Sequence, residues 1–234
     1  MTATRIHREV KPYLIGYSIC VLIASGLFFG YTTPWYYPLA WFSAQVSLLL
    51  FTLYFFRYRD AALPEEFSSQ SLLSPADGHV VALEPSLHED LDALRLSIYL
   101  HGTDTHLIRI PCSGKVVNVT YHPGKHLVAF NPKSSLLNER LEVSIEHANG
   151  KIVTLTLVAG LLARRIKPYI RVGQEVHAGE ELGYILLGSR VDMDIPNSFQ
   201  PSVELNQKVF SSESILGDWS CLLYTSDAAD DQAC

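Results

Sequence analysis

Three short stretches carry residue types from which a reactive site can be built: Ser74-Pro-Ala-Asp-Gly78, Asp104-Thr-His-Leu-Ile-Arg-Ile-Pro111 and Leu187-Gly-Ser-Arg-Val-Asp192. They offer a carboxylate in a turn (Asp77), a histidine on a strand (His106) and a Gly188-Ser189 step after a long strand. A serine hydroxyl is a weak nucleophile; it needs a base to take its proton, and the base needs a partner to orient it. Serine, histidine and aspartate are therefore the inventory of nucleophilic chemistry. The same residue types also serve as turn caps and surface histidines, and this inventory alone does not separate the two uses.

The elements around these stretches are short and β-like. Arg95–Leu100, Lys115–Thr120 and Glu142–Glu146 alternate or run β-branched, each bounded by Gly, Pro or Asn. Asn149-Gly150, between Glu142–His147 and Lys151–Val158, is a two-residue hairpin signal. Few windows after residue 60 read as a helix longer than two turns. The segment Val172–Ile185 places Gly173, Gly179 and Gly183 around alternating apolar residues and resembles the hairpin of biotinyl and lipoyl carriers and other barrel-sandwich hybrids. Ser202–Gly217 repeats its outline weakly. The expected fold class is mainly β, a barrel-sandwich-hybrid-like domain of short strands.

The chain of 234 residues is 48% hydrophobic and 18% charged, with a formal net charge of −6. The apolar excess is local, because the 45 residues from Pro12 to Phe56 contain no Asp, Glu, Lys or Arg. Two runs in this block, at about 13–31 and 35–56, are each long enough to cross a hydrocarbon core of ~30 Å as a helix. Thr32, Thr33 and Pro34 between them, followed by Trp35, Tyr36 and Tyr37, suit an interfacial turn, so the block reads as a two-helix membrane hairpin. Arg5, Arg8 and Lys11 precede it, Arg57 and Arg59 follow it, and the turn has no basic residue. Both ends are thus expected on the cytoplasmic side of the cell membrane. A buried helix pair and a hairpin embedded from one face are the alternatives, and a cleaved signal peptide fits poorly.

Net negative charge argues against nucleic acid as a partner. Cys20, Cys112, Cys221 and Cys234 form neither a disulfide framework nor a zinc spacing. Residues 220–234 lack periodicity, and their CLLYTSDAAD string resembles translated adapter sequence; they are read as a non-native tail. Without its three Asp the net charge becomes −3. The expected domains are an anchor at 1–59, a catalytic β domain at 60–219, and this tail.

Taken together, the motifs resemble the phosphatidylserine decarboxylase proenzymes of the short, archaeal-type class, a pyruvoyl-dependent family. The resemblance rests on Ser74-Pro-Ala-Asp-Gly78; His106, Arg109 and Pro111 with Ser113-Gly114; Asn138-Glu-Arg140; Val158–Ile166; Gly173, Val176, Gly179 and Gly183; and Gly188-Ser-Arg-Val-Asp192. These occur in the family's order across about residues 70–217. Ala163-Arg-Arg-Ile166 followed about 20 residues later by Gly188-Ser-Arg-Val-Asp192 is the most specific part.

The resemblance implies self-cleavage at Gly188–Ser189. The Ser189 hydroxyl attacks the preceding carbonyl, β-elimination leaves dehydroalanine, and hydrolysis gives a covalent pyruvoyl group. A β chain (1–188) would carry the anchor and an α chain (189–234) the pyruvoyl, forming a heterodimer that could associate further. The pyruvoyl ketone would form a Schiff base with phosphatidylserine in the membrane and accept the electrons left on Cα as CO2 departs, yielding phosphatidylethanolamine. His106 is the implied acid or base, with Asp77 assisting cleavage or orienting the base. Long-form relatives carry a second histidine where this chain has Arg109. Either His106 serves both steps or Arg109 binds a substrate anion. Arg164 and Arg165 are candidates for holding the lipid phosphate or serine carboxylate, and Asp192 for supporting the cleavage turn. No metal is expected.

Two other classes remain to be weighed. A membrane-anchored lysostaphin-like zinc endopeptidase shares the glycine hairpin but needs a His-x-His pair, and no two of the nine histidines are two apart. A non-enzymatic barrel-sandwich adaptor would leave the chain uncut.

Overall fold

The computed structural model describes residues 4–29, 34, 36–60, 62–86, 92–124, 137–160, 166–186 and 189–219. Gly188, Arg164, Arg165, the turn residues Thr32 and Thr33, and the tail at 220–234 lie outside the described residues.

Two helices, α1 (Lys11–Phe29) and α2 (Tyr36–Phe55), fill the uncharged block. They run side by side in opposite senses: Tyr17 Oη donates to the Gln45 carbonyl at 2.7 Å, and Trp41 Nε1 to Ser25 Oγ at 3.4 Å. Leu22, Phe42, Leu50 and Phe51 are exposed, so these apolar side chains are not covered by the described residues. Among the described residues Tyr36–Phe55 is long and apolar enough to cross a membrane, which associates the chain with one. Below them β1 (Thr4–Ile6) pairs with β2 (Arg57–Arg59), a ribbon that clips both ends of the hairpin together.

The rest is antiparallel β structure. Its strands are β3 (Ser71–Leu73), β4 (Gly78–Pro85), β5 (Ala93–Leu100), β6 (Leu107–Arg109), β7 (Gly114–His122), β8 (Arg140–His147) and β9 (Ile152–Ala159). They continue with β10 (Ile166–Pro168), β11 (Glu175–Val176), β12 (Glu181–Ile185), β13 (Ser189–Pro196), β14 (Phe199–Pro201), β15 (Lys208–Val209) and β16 (Ile215–Trp219). Eight form one sheet in the order β11-β7-β8-β9-β13-β5-β4-β15, flanked by the three-stranded sheets β10-β12-β6 and β14-β16-β3. Period-two alternation decides the faces. In β13, Val191, Met193 and Ile195 join the core with Ile98, Ile145 and Leu157. Arg190, Asp192 and Asp194 lie on the opposite face and are buried there as ion pairs: Arg95 holds Asp194 with bonds of 2.7 and 2.9 Å, and Arg190 lies 2.8 Å from Asp192. A buried charge persists in a fold only when paired in this way.

The sheet order reads as a duplication. The pairs β4/β7, β5/β8, β13/β9 and β15/β11 occupy mirrored places, and individual bonds repeat. Val80 N donates to the Gln207 carbonyl as Val116 N does to that of Gln174; Ser212 N donates to the Ser74 carbonyl as Gly179 N does to that of Ile110. Gly173 (φ +85°) and Gly179 (φ +85°) have counterparts in Asn206 (φ +67°) and Ser212 (φ +61°). The second copy therefore takes the same left-handed turns without glycine, which is why its resemblance in sequence is faint.

The Asn149-Gly150 hairpin joins β8 to β9 as expected. The segment Val172–Ile185 does not close on itself, however: β11 pairs with β7, while β12 pairs with β10 and β6. Glycine turns fix where the strands begin, but the partners are chosen by burial in two different sheets. The repeat β6–β12 is thus inserted between β5 and β13 of the other repeat. It is joined to the outer repeat through linker residues 101–106 before it and 186–188 after it, at the place where the inserted repeat itself has only the Asn149-Gly150 turn between β8 and β9.

Candidate active site

Both linkers carry chemistry: His106 ends the first, and Gly188-Ser189 closes the second. Ser189 opens β13 between Leu100 of β5 and Ala159 of β9 and is fully buried. Among the described residues its Oγ has no hydrogen-bond partner. Buried hydroxyls are normally paired, so a buried orphan needs an explanation. No other polar group competes for this hydroxyl among the described residues, so a base that reaches it can take its proton.

His106 is also fully buried. Its Nδ1 lies 2.9 Å from the Asp104 carbonyl, an acceptor, so Nδ1 carries the proton and Nε2 is the basic nitrogen. Burial lowers its pKa to about 4, against smaller opposing effects from the Asp104 carbonyl and carboxylate. The imidazole is therefore neutral at physiological pH. Phe55, the last residue of α2, packs on its ring at 4.7 Å. Asp77 does not bond the histidine directly. Its Oδ2 accepts from Thr105 Oγ1 at 2.7 Å and its Oδ1 from Ser211 N at 2.8 Å, tying the linker residue beside His106 to the turn after β15. In the other repeat Ser113 Oγ takes the corresponding place, accepting from Ala178 N at 3.0 Å. Only one copy carries the carboxylate.

The remaining candidates separate. The Arg109 guanidinium donates to the carbonyls of Gly179 (2.8 Å) and Arg59 (2.7 Å), binding β6 to the glycine turn and to the foot of the anchor; burial lowers its pKa. Asp192 pairs with Arg190 on the face away from the Ser189 side chain. Sequence patterns gave no sign of Thr105, Phe55 or Ser211, whose roles depend on contacts made across the fold. Arg57 and Arg59 stood out only as charges flanking the anchor.

Phe55 and Phe56 pack with Val10, Leu107, Tyr184 and Leu186, so the anchor ends inside a small apolar core beside His106. At this junction lies a cleft of about 360 Å³ bordered by Tyr54, Arg57, Asp77, Thr105 and Lys208. His79, His101 and Asp104 bring three possible metal-ligand atoms within 4.8 Å of one another. The Lys208 ammonium lies 4.0 Å from Asp104 and already supplies a positive charge there. Cys20 is exposed and Cys112 buried; both are free, and burial pushes the Cys112 thiol up to about 12.

An antiparallel β domain stands on apolar helices, with His106 packed on the last residue of α2 and Asp77 and Thr105 in the cleft beside it. Among the described residues the Ser189 hydroxyl makes no hydrogen bond to His106, and the arrangement suits a membrane-associated protein. The family model described as phosphatidylserine decarboxylase matches residues 48–217. Relatives named phosphatidylserine decarboxylase proenzyme include one from Ralstonia nicotianae, 38% identical over 218 residues, covering 91% of this chain and 95% of the relative. Another, from Chlorobium phaeobacteroides, is 36% identical over 212 residues, covering 89% and 98%. The chain belongs to the phosphatidylserine decarboxylase family, a family of carboxy-lyases. The zinc endopeptidase and adaptor readings are not favoured. Assignment to the short archaeal-type class rests on the sequence pattern alone.

Proposed function

We propose that the chain is made as a precursor that cuts itself between Gly188 and Ser189, gains a pyruvoyl group from Ser189 and decarboxylates phosphatidylserine at the cytoplasmic face of a membrane. The observation that carries this reading is the buried Ser189 hydroxyl at the start of β13, which has no partner among the described residues. A pyruvoyl group there would supply the electron sink that loss of CO2 from an amino acid requires. His106, neutral and oriented by the Asp104 carbonyl, acts through Nε2 as the base that takes the serine proton, and later moves a proton at the substrate α carbon. Such a positioned base typically contributes ~10²–10⁴-fold. Asp77 orients this base indirectly by fixing Thr105. Phe55, backed by Phe56 and Tyr184, covers the His106 ring. Arg109 holds the strands around the site, Asp192 steadies β13 through Arg190, and Arg164 and Arg165, which precede β10 in the sequence, contribute to substrate binding. The anchor confines the enzyme to the plane in which its lipid diffuses, raising effective concentration.

A denaturing gel and intact-mass analysis of the purified protein test this reading. Two fragments divided at Gly188–Ser189 are expected, the C-terminal one lacking an α-amino group and therefore blocked to Edman chemistry. Ser189→Ala should yield one uncut, inactive chain. A single uncut band from active wild-type protein would overturn the proposal.

A further inference from the structure

The duplication supplies an internal comparison for the cleft at the anchor's foot. Arg57, Arg59 and Lys208 border it, with Asp77 and Asp104 as its carboxylates. Those acids are already engaged: Asp77 by Thr105 and Ser211, Asp104 by the His101 amide at 2.9 Å. The ion pairs across the cleft are long, Arg59 lying 3.7 Å from Asp77 and 3.6 Å from Glu213. Arg57 bonds the carbonyls of Tyr54 (2.7 Å) and Thr103 (2.6 Å) and, among the described residues, meets no carboxylate. The cleft is thus cationic, and its volume of about 360 Å³ falls in the range of small-molecule sites. The corresponding cleft of the other repeat has Glu175 in place of Lys208 and Ser113 in place of Asp77, is bordered further by Glu146 and Lys115, and has no anchor residue along it. Cations outnumber carboxylates only along the cleft where α2 emerges; in the other copy Glu146 and Glu175 outnumber Lys115.

We infer that Arg57, Arg59 and Lys208 hold the phosphodiester of the lipid head group while its acyl chains lie along Tyr36–Phe55. This rests on the decarboxylase reading above. The phosphodiester, rather than the serine carboxylate, fits the cations. A tight grip on a carboxylate that must leave as neutral CO2 would stabilise the ground state against reaction, whereas the phosphodiester is unchanged from substrate to product. Binding common to ground and transition states acts on KM and leaves kcat alone.

The test uses full-length protein in mixed micelles, matured as judged by its two fragments, with CO2 release measured against the surface concentration of phosphatidylserine. Lys208→Ala should raise KM several-fold, and the Arg57→Ala/Lys208→Ala double variant roughly 10–100-fold, the scale of lost hydrogen bonds to charged groups, with kcat within about twofold. Phosphatidylglycerol should inhibit wild type competitively and the double variant far less; uncharged diacylglycerol should inhibit neither. Where Arg57→Ala fails to mature, Lys208→Glu with Arg57→Lys takes its place and should show the same rise in KM. An unchanged KM in active, matured variants, or a fall in kcat alone, would overturn the inference. So would inhibition by inorganic phosphate without inhibition by phosphatidylglycerol, which would assign the cleft to free phosphate. Wild-type protein that neither splits nor releases CO2 would instead sink the decarboxylase reading, so the two failures are distinguishable.

Discussion

At His106, burial and function share one cause. The folded site lowers its pKa to about 4, while an unfolded histidine titrates near 6.5. A lowered histidine pKa means that the neutral form is favoured by folding. Its contribution is therefore fully present above about pH 6.5 and is lost as pH falls toward 4. Between pH 7 and pH 5 the wild type should lose about 2 kcal/mol through this group, and His106→Gln should lack that component. Urea unfolding of both proteins at the two pH values measures it; parallel pH dependences would show that His106 is not held neutral. The candidates that the sequence singled out at this scale, Ser189, His106 and Asp77, are those whose chemistry restricts residue type within a short motif. Thr105 and Lys208 were not legible, because residues 77, 105 and 208 meet only after the sheets assemble.

Helix α2 does more than tether, since its last turn forms one wall of the site. Phe55 covers His106 and accepts a bond from Tyr184 Oη at 3.3 Å, whereas Phe51, one turn earlier, is exposed. Truncating a buried Phe leaves a cavity and typically costs about 3–5 kcal/mol. Phe55→Ala should therefore slow self-cleavage by admitting water to His106, and Phe51→Ala, on the lipid-facing surface, should leave it unchanged. A time course of fragment appearance on a denaturing gel distinguishes them; equal rates in both variants would make the anchor a passive tether. The anchor itself was readable from 45 uncharged residues and the strands from their period of two, because both signals are local. The partners of β11 and β12 were not readable: Val176 pairs with Gly114 and Tyr184 with Leu107, pairings that no short-range pattern encodes.

At the scale of the molecule, the insertion of one repeat into the other would let a chain cut at the proposed site stay in one piece. The proposed cut, between Gly188 and Ser189, falls just before β13, and β13 is already paired along its length with β5 and along most of it with β9. Downstream, β15 pairs with β4 and β16 with β3, so the piece after the cut reaches strands at both the centre and the edge of the fold. It also contributes Val191, Met193, Phe199, Val209 and Trp219 to the common core. The two fragments should consequently co-elute on size exclusion in mild detergent and separate only in denaturant, with one cooperative unfolding transition. The buried Arg95–Asp194 pair crosses between them, Arg95 upstream of the cut and Asp194 downstream. Removing one partner leaves a buried unpaired charge, at a cost of about 3–5 kcal/mol. Asp194→Ala should therefore lower the denaturant concentration at which the fragments separate, while Asp218→Ala, an exposed change on the same fragment, should not. Dissociation of the wild-type fragments in mild detergent alone would show that the strand pairing across the cut does not hold the enzyme together.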